Sequence, residues 1–178
     1  MGPIEGSPTA MAADDDFVAF VSARWNSLYR LAWLLTGGDQ TAEDVLQLAL
    51  AKTYVKWDRI RRMAAPEAYV RRILANTVTS SSRRSFLRHE VAAGDLPEAR
   101  VPTFEDASDS HLALWPLVCA LPPRQRAVVV LRFYEDLTEA QVAEALGCSV
   151  GTVKSHGHDA MQAMRRGLQA WQAGEVRA

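Results

Sequence analysis

Apolar residues along this chain return at helical spacing, and no stretch alternates as a strand would. Phe17, Phe20, Val21, Leu28, Leu31 and Leu35 fall on broadly one side of a helix over 17–35, which Gly37-Gly38 stops. Thr41-Ala-Glu-Asp44 has the spacing of a capping box and predicts a second helix opening there and running through Trp57. Leu46, Ala49, Leu50, Thr53 and Trp57 form its inner face. Asp44, Gln47, Leu48, Ala51 and Val55 form another, which either meets a partner through Leu48 and Val55 or is buried as well. Pro66 suits a first helical turn, with Glu67 well placed against the dipole. The helix it opens, to about residue 84, turns Tyr69, Val70, Ile73 and Thr77 inward and Arg71, Arg72, Ala75 and Thr79 outward.

The C-terminal half is more specific. Leu121-Pro-Pro-Arg-Gln-Arg126 starts a helix with proline in its first turn, and Val128 to Phe133 gives it an apolar body before a turn at Glu135-Asp136. Thr138 with Gln141 predicts a capping box, Gly147 a left-handed C-terminal residue, and Ser149 a fresh cap after a three-residue turn. Short helix, glycine turn and second helix predict a helix-turn-helix. With Val153, Gly157, Ala160, Met164 and Leu168 inward, the second helix presents Gly151, Thr152, Ser155, His158, Asp159, Gln162 and Arg166, with Lys154 on the flank. Its hydroxyls, His158 and Lys154 can hydrogen-bond bases or phosphates, and Asp159 can accept from a cytosine amino group.

These elements predict an all-α protein of two small helical domains joined by a flexible acidic linker. The boundaries are a tail over 1–12 (native or added), a domain over 13–85, a linker over 86–109 interrupted by Gly94, Pro97 and Pro102, a domain over 110–172, and a tail over 173–178. No purely apolar run exceeds five residues, as at Leu31 to Leu35, far short of the roughly 20 residues that span a bilayer, and no secretory signal is expected. A cytoplasmic protein is expected. Cys119 and Cys148 lack metal-ligand spacing and read as reduced thiols, and His156 and His158, two apart, cannot share a helical face, so no metal is expected.

The net charge of −1 hides a segregation. Residues 1–48 hold seven acids against two arginines; 49–88 hold ten bases against Asp58 and Glu67, a net of +8; 89–110 hold six acids against Arg100. A basic block in a neutral chain points to a local polyanion site. Within it, the loop Arg59-Ile-Arg-Arg-Met-Ala-Ala65 follows Tyr54 and Trp57, a mixture suited to single-stranded nucleic acid, although Trp57 on the inner face reads as core.

Residues 121–138 and Val142-Ala-Glu-Ala-Leu-Gly-Cys-Ser-Val-Gly-Thr-Val-Lys-Ser155 resemble region 4 of the extracytoplasmic-function sigma factors of bacterial RNA polymerase. Ala42-Glu-Asp-Val-Leu-Gln47 through Tyr54-Val-Lys-Trp57 resembles their region 2.2, and Pro66-Glu-Ala-Tyr-Val-Arg-Arg-Ile-Leu-Ala-Asn76 their regions 2.3 and 2.4. The wording Gln-Leu-Ala-Leu-Ala-Lys-Thr-Tyr-Val-Lys-Trp is similar to an actinobacterial subgroup.

The resemblance implies a factor that catalyses nothing, needs no cofactor and lends promoter recognition to core RNA polymerase. Asp44, Gln47, Leu48, Ala51 and Val55 would dock on the clamp helices of the largest subunit. Arg61, Arg62 and Met63 would take a flipped minus-10 base, and Arg71, Arg72, Asn76, Thr79, Arg83 and Arg84 would hold the melted strand. The helix from Ser149 would read the minus-35 duplex with Gly151, Thr152, Lys154, Ser155, His158, Asp159, Gln162 and Arg166. An anti-sigma factor is a further implied partner; no contact with membrane is. The chain departs from the family pattern at His156-Gly-His-Asp159, where Arg-x-x-Arg is frequent, and at Leu48, where an acid is frequent. An operator-binding regulator would need a sensor domain, and an enzyme a nucleophile elbow, phosphate loop or carboxylate cluster; the sequence offers neither.

Overall fold

The structure, a computed structural model, describes the backbone over residues 8–86 and 114–174 and side chains over 14–80 and 114–174. Residues 1–7, 87–113 and 175–178, which include all of the expected linker but Phe86, lie outside the described residues, as do the side chains of Arg83 and Arg84. Every regular element described is helical. The N-terminal lobe is built from α1 (Pro8–Thr36), α2 (Asp39–Tyr54), the single turn α3 (Trp57–Ile60) and α4 (Pro66–Phe86). The C-terminal lobe is built from α5 (Trp115–Cys119), α6 (Pro123–Val129), α7 (Glu139–Leu146) and α8 (Val150–Gln172).

The start of α1 at Pro8 lies inside the segment read as a tail. It ends where Gly37 takes a left-handed φ of 83°, its N–H returning to the Trp33 carbonyl at 2.7 Å. Thr41 does not cap α2. The helix has already begun at Asp39 after an extended Gly38, and the Ala42 N–H donates to the Gly38 carbonyl at 2.9 Å. Nor does α2 reach Trp57. It closes at Tyr54, and the turn at Val55-Lys56 swings Trp57 inward against Phe17 and Phe20, with ring centroids at 5.3 and 4.9 Å. Trp57 is core.

In the C-terminal lobe the local signals hold. Thr138 Oγ1 accepts from the Gln141 N–H at 3.3 Å while Gln141 Oε1 accepts from the Thr138 N–H at 2.8 Å, Gly147 has φ 62°, and Ser149 Oγ accepts from the Thr152 N–H at 3.1 Å. Between α6 and α7 the chain widens into a π turn over Val130–Tyr134, which sends Phe133 out to solvent and Tyr134 towards Trp115.

The two lobes share one core. Leu28, Leu31 and Leu35 of the expected stripe are buried in α1, yet Ala32, Trp33 and Leu34, which the stripe did not include, are buried as well. The C-terminal lobe covers Trp33, which stacks on Trp115 at 4.7 Å between centroids. Arg126 of α6 ties the lobes through polar contacts, Nη1 donating to the Thr36 carbonyl at the end of α1 at 2.7 Å and Nη2 to the Cys119 carbonyl. Ala75, expected outward, is 0% exposed. It sits between Arg71, Arg72 and Asn76, on a face of α4 against which α7 packs.

Candidate nucleic-acid interface

Three surfaces carry the candidate residues. On α8, Gly151, Lys154, Ser155, His158, Asp159, Gln162 and Arg166 are exposed, while Thr152 is half-buried in the cap with Ser149. Buried Val153 and Ala160 orient the helix, and Gly157 lies over α6 with its hydrogen facing Val128. His158 Nε2 is hydrogen-bonded to Gln162 Nε2 at 2.8 Å and Lys154 Nζ lies 3.7 Å from Glu139 Oε2; both side chains remain exposed.

On α2, Asp44, Gln47, Leu48 and Ala51 form an open face, and Leu48 and Val55 stand 52% and 81% exposed. Burial on both sides of α2 is therefore excluded. Exposed Tyr54 adjoins this face, its hydroxyl donating to Asp14 at 2.7 Å.

The third surface is α4 with its preceding loop. Arg62 is exposed, whereas Arg61 is drawn aside by Asp16 at 3.1 Å and Asp58 at 3.0 Å. Met63 is half-buried in a cleft of about 540 Å³ whose opposite wall is Leu131, Leu137 and Gln141 of the C-terminal lobe. Arg71 Nη2 meets Glu67 at 2.7 Å, and its Nη1 meets Glu135 of the other lobe at 2.7 Å. Arg72 faces Glu144 at 3.6 Å, and Asn76 Nδ2 donates to the Ala145 carbonyl at 2.9 Å. Thr79 returns its hydroxyl to the Ala75 carbonyl at 3.0 Å. Burial pushes the Glu135 carboxyl above the usual range; Arg71 and Arg30 pull it partly back, and Glu67 adds to the rise.

Beside this covered face runs a basic groove of about 720 Å³ with Lys52, Lys56, Arg59, Arg72 and Arg124 on its walls, Tyr69 and Asn76 among them, and no acid among the described residues that line it. Lys52 and Lys56 share one edge at a spacing of four, a signal legible in the sequence but unused; Arg124 comes from the other lobe and had no local signal. Glu135 and Glu144 were equally unreadable as partners of the arginines.

A helix-turn-helix in the C-terminal lobe and a basic groove beside α4 are features of a DNA-binding protein. Residues 20–86 match the Sigma-70 region 2 family and residues 111–164 match Sigma-70 region 4. The chain is 39% identical over 158 residues to an RNA polymerase sigma-E factor of Streptomyces coelicolor, covering 87% of each. It is 32% identical over 146 residues to the ECF RNA polymerase sigma factor SigL of Mycobacterium tuberculosis, covering 80% of this chain and 82% of that one. The fold is similar to that of the sigma factor RpoE solved in complex with the anti-sigma factor NepR from Bartonella quintana, with TM-score 0.61 and 21% identity over 86% of this chain and 97% of that one. The chain belongs to the extracytoplasmic-function sigma factors, and as such directs promoter-specific transcription initiation by RNA polymerase. Among the described residues no helix is long and apolar enough to cross a membrane.

Proposed function

We propose that α8 reads the minus-35 duplex, that α4 with the loop at Arg61, Arg62 and Met63 takes the melted minus-10 strand, and that the open face of α2 docks on the clamp helices of the polymerase's largest subunit. The observation that carries this reading is the recognition helix: capped by Ser149, it offers Lys154, Ser155 and His158 to solvent at its N-terminal end, where such a helix meets base edges. Chemistry is left to the polymerase; the factor works in the cytoplasm without a cofactor of its own. By analogy with the similarly folded RpoE bound to NepR, an anti-sigma protein is a fitting regulatory partner.

The test is transcription in vitro with core polymerase, which should open cognate promoters without ATP. Tight, sequence-specific duplex binding by the chain alone would mark an operator-binding regulator instead. Replacing Ser155 or His158 should then shift minus-35 preference by ~1–3 kcal/mol per lost base contact. Loss of Arg71, Arg72, Arg83 or Arg84 should weaken all promoters alike and flatten the salt dependence. Equal effects of both groups across minus-35 variants would overturn the division.

A further inference from the structure

Four cations along the basic groove beside α4 carry no counter-charge. Lys52 of α2, Lys56 in the turn after it, Arg59 of α3 and Arg124 of α6 line the groove, all exposed, and none meets a carboxylate among the described residues. Other arginines of the N-terminal lobe are neutralised, Arg24 and Arg71 by Glu67 and Arg61 by Asp16 and Asp58. Lys52 Nζ donates to Thr77 Oγ1 at 3.0 Å, a neutral partner that places the ammonium on the wall and leaves its charge standing. A solvated face ordinarily mixes both signs. Charges of one sign around a concave wall repel one another and focus the field on an anion that enters.

Size and lining select the anion. At about 720 Å³ the groove has the capacity of a small-molecule cleft, which spans roughly 300–1,000 Å³, and both lobes contribute to its lining. A single-stranded nucleic acid calls for a series of ring faces for its bases, and half-buried Tyr69 is the one aromatic residue among the described lining. Guanidinium and ammonium groups dominate instead. They recognise phosphate oxygens, arginine through paired N–H groups and lysine as a point charge. Orthophosphate fills little of such a volume, whereas a chain of phosphates fills more of it and brings several negative charges to the cations. We propose that this groove is a binding site for a short phosphate chain, free or carried by a nucleoside, held between Lys52, Lys56 and Arg59 of the N-terminal lobe and Arg124 of the C-terminal lobe. None of these four belongs to the sets assigned above to duplex, strand or polymerase, so the site goes beyond those readings and stands or falls apart from them.

Titration calorimetry of the full chain with tripolyphosphate and with a nucleoside triphosphate, at about 150 mM salt to screen diffuse attraction, tests this. Tripolyphosphate should bind saturably and at least about tenfold tighter than sulfate at equal ionic strength. Lys56→Ala and Arg124→Ala, both at exposed positions and checked for helicity by circular dichroism, should each weaken it about tenfold. Arg165→Ala, also exposed but on α8, should change it by less than about twofold. Equal affinity for the two probes supports a site for the phosphate chain alone, and tighter binding of the nucleoside triphosphate supports one in which the base adds to it. Absence of saturable binding overturns the proposal, as does a loss at Arg165→Ala as large as that at Arg124→Ala. If a short single-stranded oligonucleotide binds more tightly than tripolyphosphate and loses affinity at the same two alanines, the groove belongs to the strand path and the proposal falls. Binding that emerges only after the six acids of residues 89–110 are made amides would give the groove to the chain's own acidic segment and overturn it likewise.

Discussion

Arg126 is the side chain whose loss should be felt in both lobes. Its guanidinium donates from Nη1 to the Thr36 carbonyl at 2.7 Å and from Nη2 to the Cys119 carbonyl, with a longer contact to the Leu121 carbonyl at 3.4 Å. Hydrogen bonds from a charged donor contribute about 1.5–3 kcal/mol each, and the one to Thr36 joins the two lobes. Burial opposes the charge, lowering the Arg126 pKa, and Nε finds no partner among the described residues, so part of that gain is already offset. Arg126→Ala should therefore cost ~2–4 kcal/mol, leaving the Thr36 carbonyl at the end of α1 without this donor. In a chain of 178 residues that corresponds to a fall of roughly 5–15 °C in Tm. Arg126→Lys, able to reach one carbonyl at a time, should recover about half. Urea unfolding followed by far-UV dichroism and tryptophan fluorescence measures both variants. A loss below ~0.5 kcal/mol for alanine, or full recovery by lysine, would show that the clamp is ornamental and that apolar contact alone joins the lobes.

Gly157→Ala should stabilise the chain by up to about 1 kcal/mol, because an added Cβ would stand 3.7 Å from Val128 Cγ1, an ordinary contact, while alanine favours the helix; a loss in thermal melting would contradict this. Leu48→Asp should change stability by no more than ~0.5 kcal/mol at a site 52% exposed, yet weaken association with core polymerase in a pull-down or competition assay; unfolding would mean that this face is core. Glu135 gives closure a pH dependence. Its carboxyl is raised in the closed form by burial, against Arg71 and Arg30 and with Glu67 nearby, and returns to the ordinary range when the lobes part. Its contribution to closure is thus fully present below the ordinary carboxylate pKa and fades as pH rises through the raised value. Scattering should show a more compact free chain as pH falls from neutral into the acid range, and Glu135→Gln should flatten that response.

Local chemistry made the C-terminal lobe readable. Thr138 with Gln141, Gly147 and Ser149 each act within a few residues, so spacing alone located both helices of the helix-turn-helix. Thr41 misled because its capping spacing competes with Gly38, whose extended backbone opens α2 earlier. Trp57 was correctly inward, but nothing in a periodic pattern shows that a turn at Val55-Lys56 is needed to bring it there. The larger gap concerned α4. Helical spacing placed Arg71, Arg72 and Ala75 on the outer side of the N-terminal bundle, which is right for that bundle alone. Their partners Glu135, Glu144 and Ala145 lie far along the chain, and contacts at such separation leave no trace in local periodicity. The α2 face was legible for the complementary reason: nothing else in the described structure covers it.

The run Leu31 to Leu35 is a party wall. All five side chains are buried in the core that the two lobes share, and Trp33 stacks on Trp115 of the other lobe. A substitution there must satisfy two neighbours simultaneously, so repacking one side cannot rescue a misfit on the other. In a saturation library scored for soluble expression, these five positions should tolerate fewer replacements than exposed Leu48 or Val55. The wall also fixes how the two DNA-reading lobes can diverge: drift in either is filtered through the same five residues.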